Sequence, residues 1–394
     1  VTDQHRFSAT IATTQLEVID STLTLDDTWS PYGQATLRCV IPDDLDSIDP
    51  REGLRVELRA EQAFGLPTAA GDYAPGGSIA AWTAAFGGSI PAINAAYFRG
   101  FNTYGLRDST TRRASLSLRK REIDWRDQVV TLELATDEAL LQTYALVATE
   151  IYKPGITSVR GLVINVLALI GAFLEPGSDD GTIDPDASEW VPGVSAWDYL
   201  APLVQTAGLR LYCDELRRWY LVEDTTIIDG LLQLSDASTI TADRDSIDLD
   251  GDWYDAVVIT YEWIDDLGVT QQAWDTAADT TLPQNVLSVT YKRPYPGPGA
   301  AGRVLSRALG RGRVQAVRAI SDYRATPSQA VSITVAGDDT QVGYLSSVQW
   351  AWPAAEMSVS SRGLVEAPLT AWVLDTPGVH WADIPVGIDW TEDI

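Results

Sequence analysis

Histidine, cysteine and methionine are scarce in this chain, and long apolar runs are missing. Its 394 residues include two His, two Cys and one Met. His5 and His380 stand near the two ends, neither in a motif that sets it beside a nucleophile, so Ser-His-Asp and Cys-His chemistry lack a base. Both are expected to be exposed, His5 in a frayed terminus. Cys39 and Cys213 are far apart in sequence, and two buried thiols on strands are expected rather than a disulfide. No G-x-S-x-G, H-E-x-x-H, phosphate-loop or paired C-x-x-C sequence occurs. The longest apolar run, LVINVLALIGAFL from 162, falls short of the ~20 residues a membrane span needs and reads as a buried helix. The opening VTDQHRFSAT lacks the basic-then-apolar layout of a secretory signal.

Basic residues are the other shortage: 28 Lys and Arg face 55 Asp and Glu, a net charge of −27. Such a surface repels phosphate backbones, which disfavours a nucleic-acid-binding role. The imbalance is uneven. Residues 231–290 hold twelve acids and one base (12 − 1, net −11), whereas 301–324 hold six Arg and one acid (6 − 1, net +5). Arg303, Arg307 and Arg311 recur every four residues, a basic face that can meet acid within the chain or across a subunit interface, from about 243–255. Two Asp-rich stretches, Asp243/Asp245/Asp248/Asp250/Asp252 and Asp179/Asp180/Asp184/Asp186, put Gly at the wrong offset for a calcium loop. No metal, cofactor or catalytic residue is assigned. Most acids fall in polar loops where they stay solvated, which weighs against the desolvated carboxylate pair of a glycosidase.

What the chain does have is alternation. QLEVIDSTLTLDD, GQATLRCVIP, GLRVELRAE, RRASLSLRKREID and QVVTLELAT all switch between apolar and polar with a period of two. This pattern predicts antiparallel sheets with one wet side. The predicted fold is mainly β with α+β: two antiparallel β-barrel-like domains flanking a small α+β domain. The first β domain spans 1–150, with a Gly/Ala/Pro-rich insertion at 62–96 whose aromatics pack on a neighbour or on their own sheet. The α+β domain spans 151–235. Ser158 caps a helix stopped by Gly171, and Ser195 caps another with a stripe of Trp197, Leu200, Val204 and Ala207. Pro202 predicts a kink or a late start there, and Gly208 ends the helix before a hairpin turning at DELR. The second β domain spans 236–375, with a helix near 300–320 carrying the three arginines. The tail 376–394 reads as an extended docking segment that includes Trp381 and Trp390.

Three stretches carry a family resemblance. They are AWDYLAPLVQTAGLRLYCDELRRWYLVED, YRATPSQAVSITVAGDDTQVGYLSSVQWAWPAAEMSVSSRGL and STLTLDDTWSPYGQATLRCVIP. Together they resemble the minor tail proteins of long-tailed actinobacteriophages and, more broadly, phage tail-hub proteins. The resemblance implies a homotrimeric, pseudo-sixfold ring in the virion. Such a ring adapts the sixfold tail tube to a threefold tip and lines the path of genomic DNA without binding it specifically. It also implies a distal tail protein and the tail tube above, fibre or spike proteins below, and no membrane span. Arg303, Arg307, Arg311, Trp381 and Trp390 are the expected interface residues. No hydrolase segment follows the hub-like part within these 394 residues, so lytic activity is not expected. Two other readings stay open: a carbohydrate- or receptor-binding tail protein using exposed Trp350, Trp352, Trp381 and Trp390, and a cell-wall glycoside hydrolase.

Overall fold

Strict alternation builds the first half of the molecule. A computed structural model describes residues 4–367, except 13, 29, 64–109, 184–187, 224–225, 227, 236–239, 248–252, 265–267, 292–293, 296, 310–312 and 336–339. Its first strands are β1 (Gln4–Ile11), β2 (Thr14–Leu16), β3 (Val18–Asp26), β4 (Gly33–Val40), β5 (Arg55–Ala63), β6 (Thr110–Asp124) and β7 (Val129–Ala135). In β4, Gly33, Ala35, Leu37 and Cys39 are buried while the residues between them face water. The seven strands pair antiparallel in the order β2-β1-β5-β6-β7-β4-β3. The insertion falls almost wholly outside the described residues.

A compact α+β unit follows: α1 (Glu138–Thr143), α2 (Val159–Leu169), α3 (Ala196–Thr206), β8 (Leu209–Cys213) and β9 (Trp219–Glu223). The Ser158 and Ser195 hydroxyls each accept from a backbone N–H three residues on, at 3.0 Å, satisfying donors that an uncapped helix would leave bare. Gly171 and Gly208 take left-handed φ of 70° and 88° just past the helix ends. Two expectations shift. Pro202 sits inside α3, which runs from Ala196 through to Thr206. The buried face of α3 is Ala196, Tyr199, Leu200, Leu203 and Val204, so Trp197 and Ala207 are only flanking. Tyr199 belongs to the core because its ring stacks on Trp190 at 4.8 Å while its hydroxyl donates to the Ser188 carbonyl.

The remaining elements are β10 (Ile228–Ser235), β11 (Ile240–Ile247), β12 (Ala256–Ile264), β13 (Thr270–Ala278), β14 (Val286–Tyr291), α4 (Ala300–Leu309), β15 (Arg313–Ile320), β16 (Gln329–Thr334), β17 (Thr340–Trp352) and β18 (Glu356–Ala367). The helix expected near 300–320 ends at Leu309, and the chain continues as a strand. The arginine spacing bridges Gly310 and Gly312, poor helix formers, into a segment where Gln315, Val317 and Ala319 alternate as buried residues. β11 lies antiparallel to β15, with Asp243 opposite Val317 and Asp245 opposite Gln315, so the acidic stretch borders the basic one within one chain.

β17 pairs antiparallel with β3, setting Val348 opposite Leu25 and Trp350 opposite Leu23. This joins the early and late strands in one hydrogen-bonded path, and β10 and β16 branch from it as a parallel pair. One apolar core runs through both halves, from Leu23, Leu37 and Leu116 to Val317, Val348 and Trp350. At about 1.5–3 kcal/mol for each fully buried large side chain, this core dominates the favourable side of folding. A separate three-stranded sheet, β13-β12-β14, is covered on one face by α4. The fold is thus mainly β, with curled antiparallel sheets and few helices. Among the described residues, no helix is long and apolar enough to cross a membrane.

Candidate functional site: a buried ionic joint

Charged side chains are buried where the α+β unit meets the large sheet. They come from the end of β3, the start of α1, the β8–β9 hairpin, and the strands and loops around β17 and β18. Asp27, just past β3, has a side chain sealed from solvent and accepts from Arg362 at 2.9 Å and Ser328 at 2.8 Å, with Arg210 at 3.8 Å. One carboxylate therefore ties together the N-terminal sheet, the hairpin and β18. Asp137 joins Arg55 of β5 and Ser117 of β6 to Arg217 of the hairpin. Glu215 pairs with Arg112, whose guanidinium lies 5.0 Å over the Trp350 ring and also donates to the Ala325 carbonyl. Arg210 is held over Tyr212 at 4.7 Å and Tyr32 at 5.7 Å.

Glu138, at the first position of α1, is the most perturbed acid of the joint. Its carboxylate accepts from Ser30 Oγ at 2.9 Å, from Tyr32 N, and from Cys213 N at 3.0 Å. Complete burial nonetheless outweighs these donors and the nearby Arg210, and pushes its pKa up from 4.5 to about 7. Burial also raises the Tyr212 hydroxyl to about 12 and the Cys39 thiol to about 12, and it raises Cys213 further. Thiols so shifted stay protonated and make poor nucleophiles. Both cysteines are free and buried, on β4 and β8, as the sequence suggested.

Beside the joint lies a cavity of about 220 Å³, lined by Asp27, Glu138, Arg210, Trp197, Gln205 and Val304 among others. Of its charged walls, Asp27 pairs with Arg210 at 3.8 Å and Glu138 accepts from Ser30 and two backbone amides, so the charges are satisfied by the protein itself. Among the described residues no group of three or more His, Cys, Asp and Glu converges as metal ligands do. Asp180, one candidate ligand, accepts instead from Ser158 Oγ at 2.7 Å and from the Arg160 and Gly181 amides at 2.8 Å. Partial burial works against its charge, but those donors win and hold its pKa below the usual carboxylate value. Asp184, Asp186, Asp248, Asp250 and Asp252 lie outside the described residues.

The structure corrects three sequence expectations. His5 is no frayed residue: it sits in β1, with Nδ1 3.0 Å from the Tyr323 hydroxyl. Trp350 and Trp352 are buried at 0% and 5% exposure, with indole N–H groups donating to the Asp322 carbonyl and to Tyr323, so neither is free to stack on a sugar. Nor do all acids stay solvated: Asp27, Asp137, Glu138 and Glu215 are buried. The sequence missed the joint because its ion-paired members are tens to hundreds of residues apart. Locally the sequence shows only an acid pair after the strand run TLTL and another before the helical ALL, and neither marks burial. Of the expected interface residues, Arg303 and Arg307 fall in the α4 segment, and Arg311, Trp381 and Trp390 lie outside the described residues, as does His380.

No family model matches this chain, and no curated protein does. Solved structures do share its fold. The tail protein from Neisseria meningitidis MC58 superposes with a TM-score of 0.53 at 10% identity, over 91% of this chain and 96% of that one. The 43 kDa tail protein of prophage MuSo2 from Shewanella oneidensis gives a TM-score of 0.53 at 10% identity, over 90% and 97%. The chain has the fold of these two tail proteins across nearly its whole length.

Proposed function

We propose that this chain is a structural component of a phage tail, and specifically the tail-tip hub. Three copies form a pseudo-sixfold ring that adapts the sixfold tail tube to a threefold tip and lines the exit path of the genome. The two strand-rich segments, 1–150 and 236–375, are the ring-forming parts, and the α+β unit sits between them. A distal tail protein and the tube dock above, and fibre or spike proteins below. Arg303, Arg307 and Arg311 and the tail residues Trp381 and Trp390 contact neighbours.

The observation that carries this reading is the two-way coverage: nine-tenths or more of the chain superposes on nearly all of each of two tail proteins. The acidic balance of −27 supports it, since a conduit for DNA must not hold DNA. The buried joint supports it too, since its charged groups lock the parts of the chain together. Immunogold labelling of purified virions tests the assignment. Label confined to the tail tip is expected, and label absent from particles refutes it.

A further inference from the structure

We propose that residues 384–390 of one copy add as a fourth strand along the open edge of β14 in a neighbouring copy. This rests on the reading above that the tail contacts neighbours, and it names the surface the tail meets.

The edge is unfinished on its apolar face. β14 is the outermost strand of the sheet β13-β12-β14, and among the described residues no strand pairs with its far side. On β12, Val257, Ile259 and Tyr261 are sealed in the small core shared with α4, at 0%, 2% and 1% exposure. Directly beside them in the parallel register stand Leu287, Val289 and Tyr291 of β14, which are only half-buried. The core face thus passes from closed to half-open within one strand spacing, and a further strand completes it. Exposed edges are commonly blunted by charge, proline or a bulge. β14, VLSVTY in an unbroken register with β12, has none of these. Residues 283–291 carry no charge at all, although they close the stretch 231–290 whose net charge is −11.

The tail has the matching pattern. In IPVGIDW, residues 384–390, Ile384, Val386, Ile388 and Trp390 alternate with Pro385, Gly387 and Asp389. A period of two gives a strand one apolar face, which continues the row of Leu287, Val289 and Tyr291. Residues that share a face also turn their N–H and C=O groups to the same side. The four apolar residues therefore bond to β14, and Pro385 turns its main chain to the open side. Proline, lacking an N–H, is tolerated at such an outer position, and there it blunts the new edge against a fifth strand.

Charge selects this edge over the others. Residues 376–394 hold four acids and no Lys or Arg, whereas β14 is followed in sequence by Lys292 and Arg293. A strand added parallel to β14 brings Asp389, Glu392 and Asp393 to that basic end. The edge strand β11 carries Asp243 and Asp245, and the edge strand β13 leads into Asp279, so both repel an acidic segment. β10 offers no open core, because its Leu232 and Leu234 are already buried. Reach permits donation between copies. β18 ends at Ala367, and the residues from there to 384 (384 − 367 = 17) extend up to ~60 Å.

Hydrogen exchange resolved to single amides tests this in the full chain, with sedimentation velocity on the same samples. The parent is compared with Ile384→Asp plus Ile388→Asp in the tail, and with Ser288→Asp plus Thr290→Asp on the exposed side of β14. Alternate amides of β14 point away from β12, and only an added strand protects them. These amides are expected to be protected in the parent and to exchange at least about tenfold faster in both variants. Amides of β12 and the large sheet should stay as in the parent, which shows that the variants fold. Association between copies should weaken at least about tenfold in both variants. Equal exchange of the β14 amides in parent and tail variant overturns this inference, and if the parent is still oligomeric the assembly reading stands. Faster exchange with an unchanged oligomer means that each copy pairs its own tail, which also overturns donation between copies. A parent that sediments as a single chain throughout contradicts both this inference and the assembly reading.

Discussion

At the scale of single residues, Glu138 makes the strongest energetic statement. Its pKa of about 7 in the folded chain exceeds the ordinary 4.5, so the folded state holds this proton more tightly than the unfolded state does. Its contribution favours folding below about pH 4.5, and is lost as pH rises toward 7. The loss amounts to about 3 kcal/mol once both states are ionised. Urea unfolding at pH 5 and pH 8 should show the parent less stable at the higher pH. Glu138→Gln should flatten that difference, and an unchanged pH slope in the variant would remove Glu138 as its source. Asp27 matters as a partner: its removal strands Arg362 and Arg210 in partly buried positions. Asp27→Ala is expected to cost about 3 kcal/mol, and Arg362→Leu added to it should cost much less than the sum of the two single changes. Strict additivity in that double-mutant cycle would mean the pair does not interact. Neither residue could be singled out from the sequence, because Asp26-Asp27 and Asp137-Glu138 look like loop acids until β17 and the hairpin close over them.

At the scale of elements, what the sequence revealed depended on how local the cause was. The alternation in GQATLRCV and LRVELRAE, and the Ser and Gly that bound α2 and α3, act within a few residues, and the strands and helices stand where those signals put them. The end of α4 was misjudged because a four-residue arginine spacing was followed across two glycines into the alternating β15. The pairing of β3 with β17 and the parallel pair β10–β16 are non-local, and no short pattern encodes them. The start of α4 is fixed from a distance too: the buried Asp275 of β13 accepts from the Gly299 amide at 3.0 Å and the Ala301 amide at 2.9 Å. That carboxylate sits on the positive end of the helix and caps two otherwise bare donors. Asp275→Ala should cost about 1–2 kcal/mol. Hydrogen exchange should rise first at the amides of α4, and uniform loss of protection across the large sheet would argue against so local a role.

For the whole molecule, charge and fold point the same way. A chain with −27 net charge gains little from holding DNA, and its fold is shared with two tail proteins across nearly its whole length. The segment 301–324 differs from the rest of the chain in its net positive charge. Charge reversal at both Arg303 and Arg307 should weaken assembly by at least about tenfold while shifting the monomer's unfolding midpoint little, provided these side chains reach a neighbour's acid. Equal loss in both readouts would place their partners inside the same chain, where β11 already borders β15. The central claim, a trimeric hub, is tested most directly by the mass of the purified full-length chain under native conditions. Three times the chain mass, with threefold or pseudo-sixfold symmetry in images of the same particle, is the predicted result. A single chain mass at every concentration and salt would contradict it.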